Sequence, residues 1–214
     1  VTTVERPRGL PPDERVLWHG APAWWSLAKT AFHVRKLAAY FALLLAWRGA
    51  TVGSEAGSVE AGVTAALEMA PLPGVALLIL VALARMSART TAYWITDRRV
   101  VMRIGIVLTI TLNLPFKVVA GAALRRHADG AGDIPLALAG GDRVAYLVLW
   151  PHARPWRLLR PEPMLRALPD AVAAATVLAT ALARAHGQPV EGPVAVVDAD
   201  AIRPTTPPAT ALPA

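Results

Sequence analysis

The chain has five histidines, fifteen acidic residues and no cysteine, so thiol catalysis, disulfides and cysteine–zinc sites are excluded. His19, His33, His127, His152 and His186 are scattered: no two share a helical i, i+4 spacing and none falls in a metal-ligand motif. A GxSxG elbow, a GxxxxGK[ST] phosphate loop and a GxGxxG after a strand are also missing. The one cluster with the residue types of a metal or general-base site is HADGAGD at 127–133, which holds His127, Asp129 and Asp133. Its Gly130 and Gly132 suit turn geometry as well as any ligand, so it reads as a polar hairpin loop. No catalytic or metal-ligating residue is expected, and no enzyme activity.

Binding chemistry is better represented. Trp18, Trp24 and Trp25 are packed into eight positions, with Phe32 close behind. Tryptophan at this density is a docking hot spot or an anchor at lipid headgroup level. Arg98, Arg99 and Arg103, with Arg125 and Arg126, offer cations to lipid phosphates or an acidic partner; the plainer reading is a solvated basic face. His33 precedes an apolar stretch beside Arg35 and Lys36. It is either an interfacial histidine or a ligand for the magnesium of a chlorin pigment. Glu68 is the one acid near membrane depth, a functional position by default, although Pro71 and Pro73 favour leaving it in a loop.

The elements that must position these residues show in the hydropathy pattern. The chain is 55% hydrophobic and 17% charged, against roughly 45–50% and about 25% in soluble domains, and the excess is concentrated between residues 37 and 84. One apolar segment, 37–54, contains Arg48, which can snorkel to an interface. A second, 65–86, includes MAPLPGVALLILVALAR, where Pro71 and Pro73 predict a kink or break. At about 1.5 Å per residue the second segment reaches roughly 30 Å, the thickness of a bilayer core. Buried core helices are the rival reading. The charges argue against it: residues 1–36 are net +3, 37–86 net −1, 87–186 net +7 and 187–214 net −2. The positive-inside rule then gives two transmembrane helices, an external loop at 55–64 and both termini in the cytoplasm. The first thirty residues are polar, with Pro7, Pro11, Pro12 and Pro22, so no cleavable signal peptide is expected.

Residues 1–36 predict an aromatic, basic, extended segment, then a helix capped at Ser26 that runs on into the first apolar stretch. After Arg89 the period shortens to two: TAYWIT, RRVVMRIG and IVLTITLNL read as strands, with a turn at Thr96-Asp97 and breaks at Gly105 and Pro115. LALA and RVAYLVLW flank a Gly140-Gly141-Asp142 turn, and RPWRLLR (154–160) predicts a further short strand. Residues 161–185 read as helical, with Asp170 as a cap and Gly187 as a stop; the Pro/Ala/Thr-rich tail, 187–214, reads as disordered. The expected fold class is a membrane-anchored α+β protein. Two N-terminal transmembrane helices precede an antiparallel β domain at 87–186, closed by a C-terminal helix.

TAYWITDRRVVMRIGIVLTITLNLPF (91–116) resembles the bacterial pleckstrin-homology-like (PH-like) domain, in which Y-x-(I/L)-T-(D/N)-R-R-(V/L) opens a β-hairpin after a pair of membrane helices. Tyr93, Ile95, Thr96, Asp97, Arg98, Arg99 and Val100 carry the match. Over about 9–186 the chain also resembles the PuhB family of photosynthetic complex assembly proteins of purple bacteria. The blocks that carry this are DERVLWHGAP (13–22), AFHVRKLAAYFALLLAWR (31–48), RVVMRIG (99–105), LNLPF (112–116), HADGAGDIPLALAG (127–140) and LWPHARPWRLLRPEPMLRALPDA (149–171). The resemblance implies two packed antiparallel sheets closed by a helix, in a non-catalytic membrane factor for assembly of the reaction centre and its core light-harvesting complex.

The partners expected on this basis are reaction-centre and core light-harvesting subunits and membrane lipids, with no nucleic acid and with a homo-oligomer left open. The expected location is the inner, intracytoplasmic membrane. No resident cofactor is implied; a transient bacteriochlorophyll contact stays open. The expected partner-binding residues are Trp18, Trp24, Trp25, His33, Arg98, Arg99 and Arg103. Two rivals remain: a pigment-delivery protein that uses His33, and a PH-like module that reads anionic headgroups.

Overall fold

The computed structural model describes residues 7, 9–106, 108–139, 149–154 and 161–187. The 140–142 turn, most of the strands expected near 143–150 and 154–160, and the tail beyond Gly187 lie outside the described residues. In chain order the elements are β1 (Val16–Gly20), α1 (Trp24–Thr30), α2 (Val34–Ala56), α3 (Val59–Met69), α4 (Pro71–Thr90), β2 (Ala92–Thr96), β3 (Arg99–Ile104), β4 (Ile110–Pro115), a 3-10 turn at Phe116–Val118, β5 (Val119–Ala122), β6 (Arg125–Arg126), β7 (Gly132–Leu138), β8 (Met164–Leu168) and α5 (Ala171–Ala185).

Helices α2 and α3–α4 form a long apolar hairpin. The first helix is longer than the 37–54 expected, and the external loop expected at 55–64 shrinks to Gly57 and Ser58. Gly57 ends α2 in a left-handed conformation, and the Ser58 side chain accepts from the Ala61 amide to cap α3. The kink or break expected at Pro71 and Pro73 falls at Ala70, where α3 ends and α4 begins. Pro71 sits at the first turn of α4, where a missing N–H costs no hydrogen bond, and Ala70 is itself helical, so α3 passes into α4 through one residue. Glu68, expected in a loop, is therefore an exposed residue of α3. The spans Val34–Ala56 and Val59–Thr90 are both long and apolar enough to cross a membrane, and none of their apolar windows is buried. The two spans are therefore not core helices within this chain.

Glycines set the crossing of the hairpin. A Cβ at Gly62 of α3 would overlap the carbonyl oxygen of Gly49 and crowd Gly53, so the spacing Gly49-x-x-x-Gly53 on α2 brings the two backbones together. On one side of this crossing lies an open apolar groove of about 550 Å³ lined by Leu45, Ala46, Ala50, Val59, Val63 and Ala66. Arg48, Glu60, Thr64 and Glu68 line the other side.

The β domain is two antiparallel sheets. The first has the order β1-β2-β3-β4; in the second, β7 pairs with β5 and β6 on one edge and with β8 on the other. Tyr93, Ile95, Val100, Met102 and Leu114 from the first sheet meet Leu124, Ile134, Leu136 and Leu165 from the second. The stripe Ala171, Ala174, Ala175, Leu178 and Ala181 of α5 closes the core at helical spacing.

Three sequence expectations fail here for physical reasons. The N-terminal segment is not a separate unit, because β1 within it is the edge strand of the first sheet and Trp18 packs on the main core. Ser26 does not cap a helix: it is buried inside α1, and the chain breaks at 31–33, where His33 takes a left-handed φ of 52°. Residues 164–168, MLRAL, are strong helix formers that build a fully buried strand, because β7 presents an unfilled edge.

Candidate interaction surface

Helix α1 is the joint between hairpin and sheets. Leu27 and Ala28 pack with Val34, Ala84, Ala88 and Ala167, so α1 is held between α4 and β8. This leaves Trp24 and Trp25 exposed, with ring centroids 5.4 Å apart, and the Arg85 guanidinium lies 5.3 Å over Trp24. Nearby Phe32 is buried edge-on against the half-exposed Trp150, 5.3 Å between centroids. Arg35 and Lys36 at the start of α2 and Arg89 in the last turn of α4 are exposed at this same end. The far end of the hairpin carries Glu55 and Glu60. The aromatic and cationic residues thus form a collar where both apolar helices leave the sheets.

A buried polar network fixes that joint. Arg166 of β8 donates to the Pro151 carbonyl at 2.6 Å and to the Thr30 carbonyl at 3.1 Å, linking the second sheet to the end of α1. The Arg166 amide donates to the Tyr93 hydroxyl, which lies 2.6 Å from His152 Nδ1; Thr91 Oγ1 lies 3.1 Å from His152 Nε2. Burial, helped by the Arg166 charge, pushes His152 down to about 3, so its imidazole is neutral at ordinary pH. Burial also raises the Tyr93 phenol far above its usual value. Asp133 accepts from the Ala167 amide at 2.7 Å, and the Ala167 carbonyl accepts from Ala23 just before α1.

The loop 127–133 belongs to this joint. His127 Nε2 sits 3.0 Å from Asp133 Oδ2 without hydrogen-bond geometry. Asp129 receives Lys29 of α1 at 2.6 Å, and this bond holds the Asp129 carboxyl below its usual pKa. Among the described residues no group of three His, Asp or Glu is placed to hold a metal.

The residues singled out by sequence divide into two groups. Trp24, Trp25 and His33 lie at the collar and are exposed. The others have structural partners. The Trp18 indole covers Gly20 and the core. Arg103 lies 5.4 Å over Trp94, which His19 flanks on its other contact. Arg98 pairs with Asp13 at 2.8 Å on the surface, and Arg99 pairs at 2.9 Å with the buried Glu14. Thr96 Oγ1 donates to Glu14 Oε1 at 2.7 Å and accepts from the amides of Arg98 and Arg99; Arg15 and Asp97 exchange two further bonds. The DER and TDRR blocks are therefore two halves of one latch. Sequence reasoning missed Arg166, Tyr93 and His152 as a network, because the partners stand dozens of residues apart. The Gly49-x-x-x-Gly53 spacing was open to view.

The bacterial PH domain family matches residues 32–182. Over 176 residues the chain is 37% identical to a protein of Rhodobacter capsulatus described as an uncharacterized 23.7 kDa protein in the puhA 5' region, with 82% of each chain covered. No solved structure matches.

Proposed function

The chain belongs to the bacterial PH domain family, and we propose that it is a membrane-held, non-catalytic assembly factor for the photosynthetic reaction centre and its core light-harvesting complex. The observation that carries this is the unpartnered apolar hairpin locked to a basic sheet domain. Leu43, Trp47, Leu72 and Leu78 are each about two-thirds or more exposed, which in water marks an interaction or membrane surface. The collar of Trp24, Trp25, Arg35, Lys36, Arg85 and Arg89 fits a headgroup layer on the cytoplasmic side, with Glu55 and Glu60 on the other. In the bilayer the hairpin packs against helices of assembling subunits, while the sheets meet their cytoplasmic faces. The photosynthetic part is supported by the relative's place 5' of puhA, the reaction-centre H gene, and by the sequence blocks above.

A tagged chain, extracted mildly from membranes of phototrophically grown cells, should enrich reaction-centre or light-harvesting polypeptides over an untagged control. Absence of both across several mild detergents contradicts the reading. Pigment delivery is a second version, favoured by the exposure of His33 at the start of α2. Pigment copurifying with the chain should then vanish in His33→Ala; its retention removes the role of His33.

A further inference from the structure

We infer that the turn between β3 and β4 is a third point of membrane contact, an apolar tip that enters the anionic lipid surface beside α4. The inference rests on the membrane-spanning reading of the hairpin.

Strand register places the tip. Arg103 is opposite Ala92 and Ile104 is opposite Ile110, and Ala92 opens β2 two residues after α4 ends. The turn therefore lies beyond the edge at which α4 joins the first sheet. Strand β1 also finishes at this edge, with Gly20 opposite Tyr93, and leads directly to Trp24 and Trp25. Hairpin, collar and tip share one end of the sheet.

The tip has the composition of a lipid contact. Leu108 is 79% exposed and Ile110 40%, with Ile106 half-buried beside them. One exposed leucine is ordinary; three apolar side chains on one turn at the collar end are not. Gly105 has φ 120°, and a Cβ there would collide with the Leu108 carbonyl, so Leu108 comes back close against the end of β3. The opposite end of the same sheet provides the contrast: the β2–β3 turn holds Asp97 and Arg98, with Asp13 paired to it. From residue 98 to 126 the chain has no acidic residue. Apolar side chains with Arg103 beside them in register, at the end of the sheet that also carries Arg85 and Arg89, suit a bilayer carrying anionic lipid.

The chain lacks cysteine, so a single introduced cysteine takes a fluorophore cleanly. Full-length Leu108→Cys, Leu78→Cys and Asp97→Cys chains, each labelled with an environment-sensitive dye, are reconstituted in vesicles of phosphatidylcholine with or without phosphatidylglycerol. The Leu108 label should be blue-shifted and quenched by lipid-borne nitroxides, more strongly with phosphatidylglycerol, while the Asp97 label meets only aqueous quenchers. A Leu108 label that behaves like the Asp97 label, while the Leu78 label on α4 is lipid-quenched, overturns the inference and leaves the hairpin reading standing. A water-exposed Leu78 label overturns both. Equal lipid quenching in both vesicle types overturns the preference for anionic lipid.

Discussion

Glu14 is buried to within 1% of its surface, yet it is a carboxylate two residues before the first strand. Thr96 and Arg99 hold its two oxygens. Its removal leaves a half-buried guanidinium without this acceptor, while Thr96 Oγ1 keeps the Arg99 carbonyl, so Glu14→Ala should lower stability by about 1–3 kcal/mol, read by thermal unfolding. Arg98→Ala breaks only an exposed pair and should shift stability by no more than about 0.5 kcal/mol. His152 supplies a pH dependence. Its pKa in the fold is about 3, below the ordinary value near 6.5, so protons favour the unfolded chain. The stabilising contribution is complete above about pH 6.5 and is lost as pH falls, by up to about tenfold in the folding equilibrium per unit, until pH nears 3. His152→Gln should flatten the unfolding midpoint between about pH 6.5 and 5, before most carboxylates titrate; an unchanged slope contradicts the assignment. The sequence displayed the residues of both networks but not their pairing, because Glu14 meets Arg99 and Tyr93 meets His152 only after the sheets form.

At the scale of elements, the hairpin crossing makes the sharpest prediction. Gly62 has no room for a side chain against Gly49 and Gly53. Gly62→Leu should therefore force α3 away from α2 by roughly 2–3 Å, given the usual spacing of helices without such glycines. Spin labels at Leu43→Cys and Leu67→Cys, both exposed, report the change as a longer inter-label distance; an unaltered distance contradicts the crossing. Elements with a strong period were legible: the two apolar helices, the strands at 92–115 and the helix body at 171–185. What escaped was decided by neighbours. MLRAL became β8 because β7 had an edge to fill, and VLWHG became β1 because the first sheet did. The break at His33, in a segment expected as continuous helix, falls where α1 is packed with Ala84, Ala88 and Ala167.

On the scale of the whole molecule, the hairpin has no loose tether. It enters and leaves the sheets through α1 and α4, and Arg166, Asp133 and the Lys29–Asp129 pair clamp the joint. A reader of the sequence sees an apolar pair and a β domain; the rigidity between them comes from side chains on β7, β8 and the 127–133 loop, which no local pattern reveals. Under the proposed assembly role, such a joint would let contacts made by the sheets orient the hairpin against an incomplete membrane complex. An assembly factor must also let go. The most direct measurement is a pulse-chase in phototrophically grown cells carrying the tagged chain. Newly made reaction-centre or light-harvesting polypeptides should copurify early and leave the tagged chain as label enters finished complexes. Label that never associates, or that stays at a constant ratio through the chase as with a permanent subunit, would contradict the assembly role.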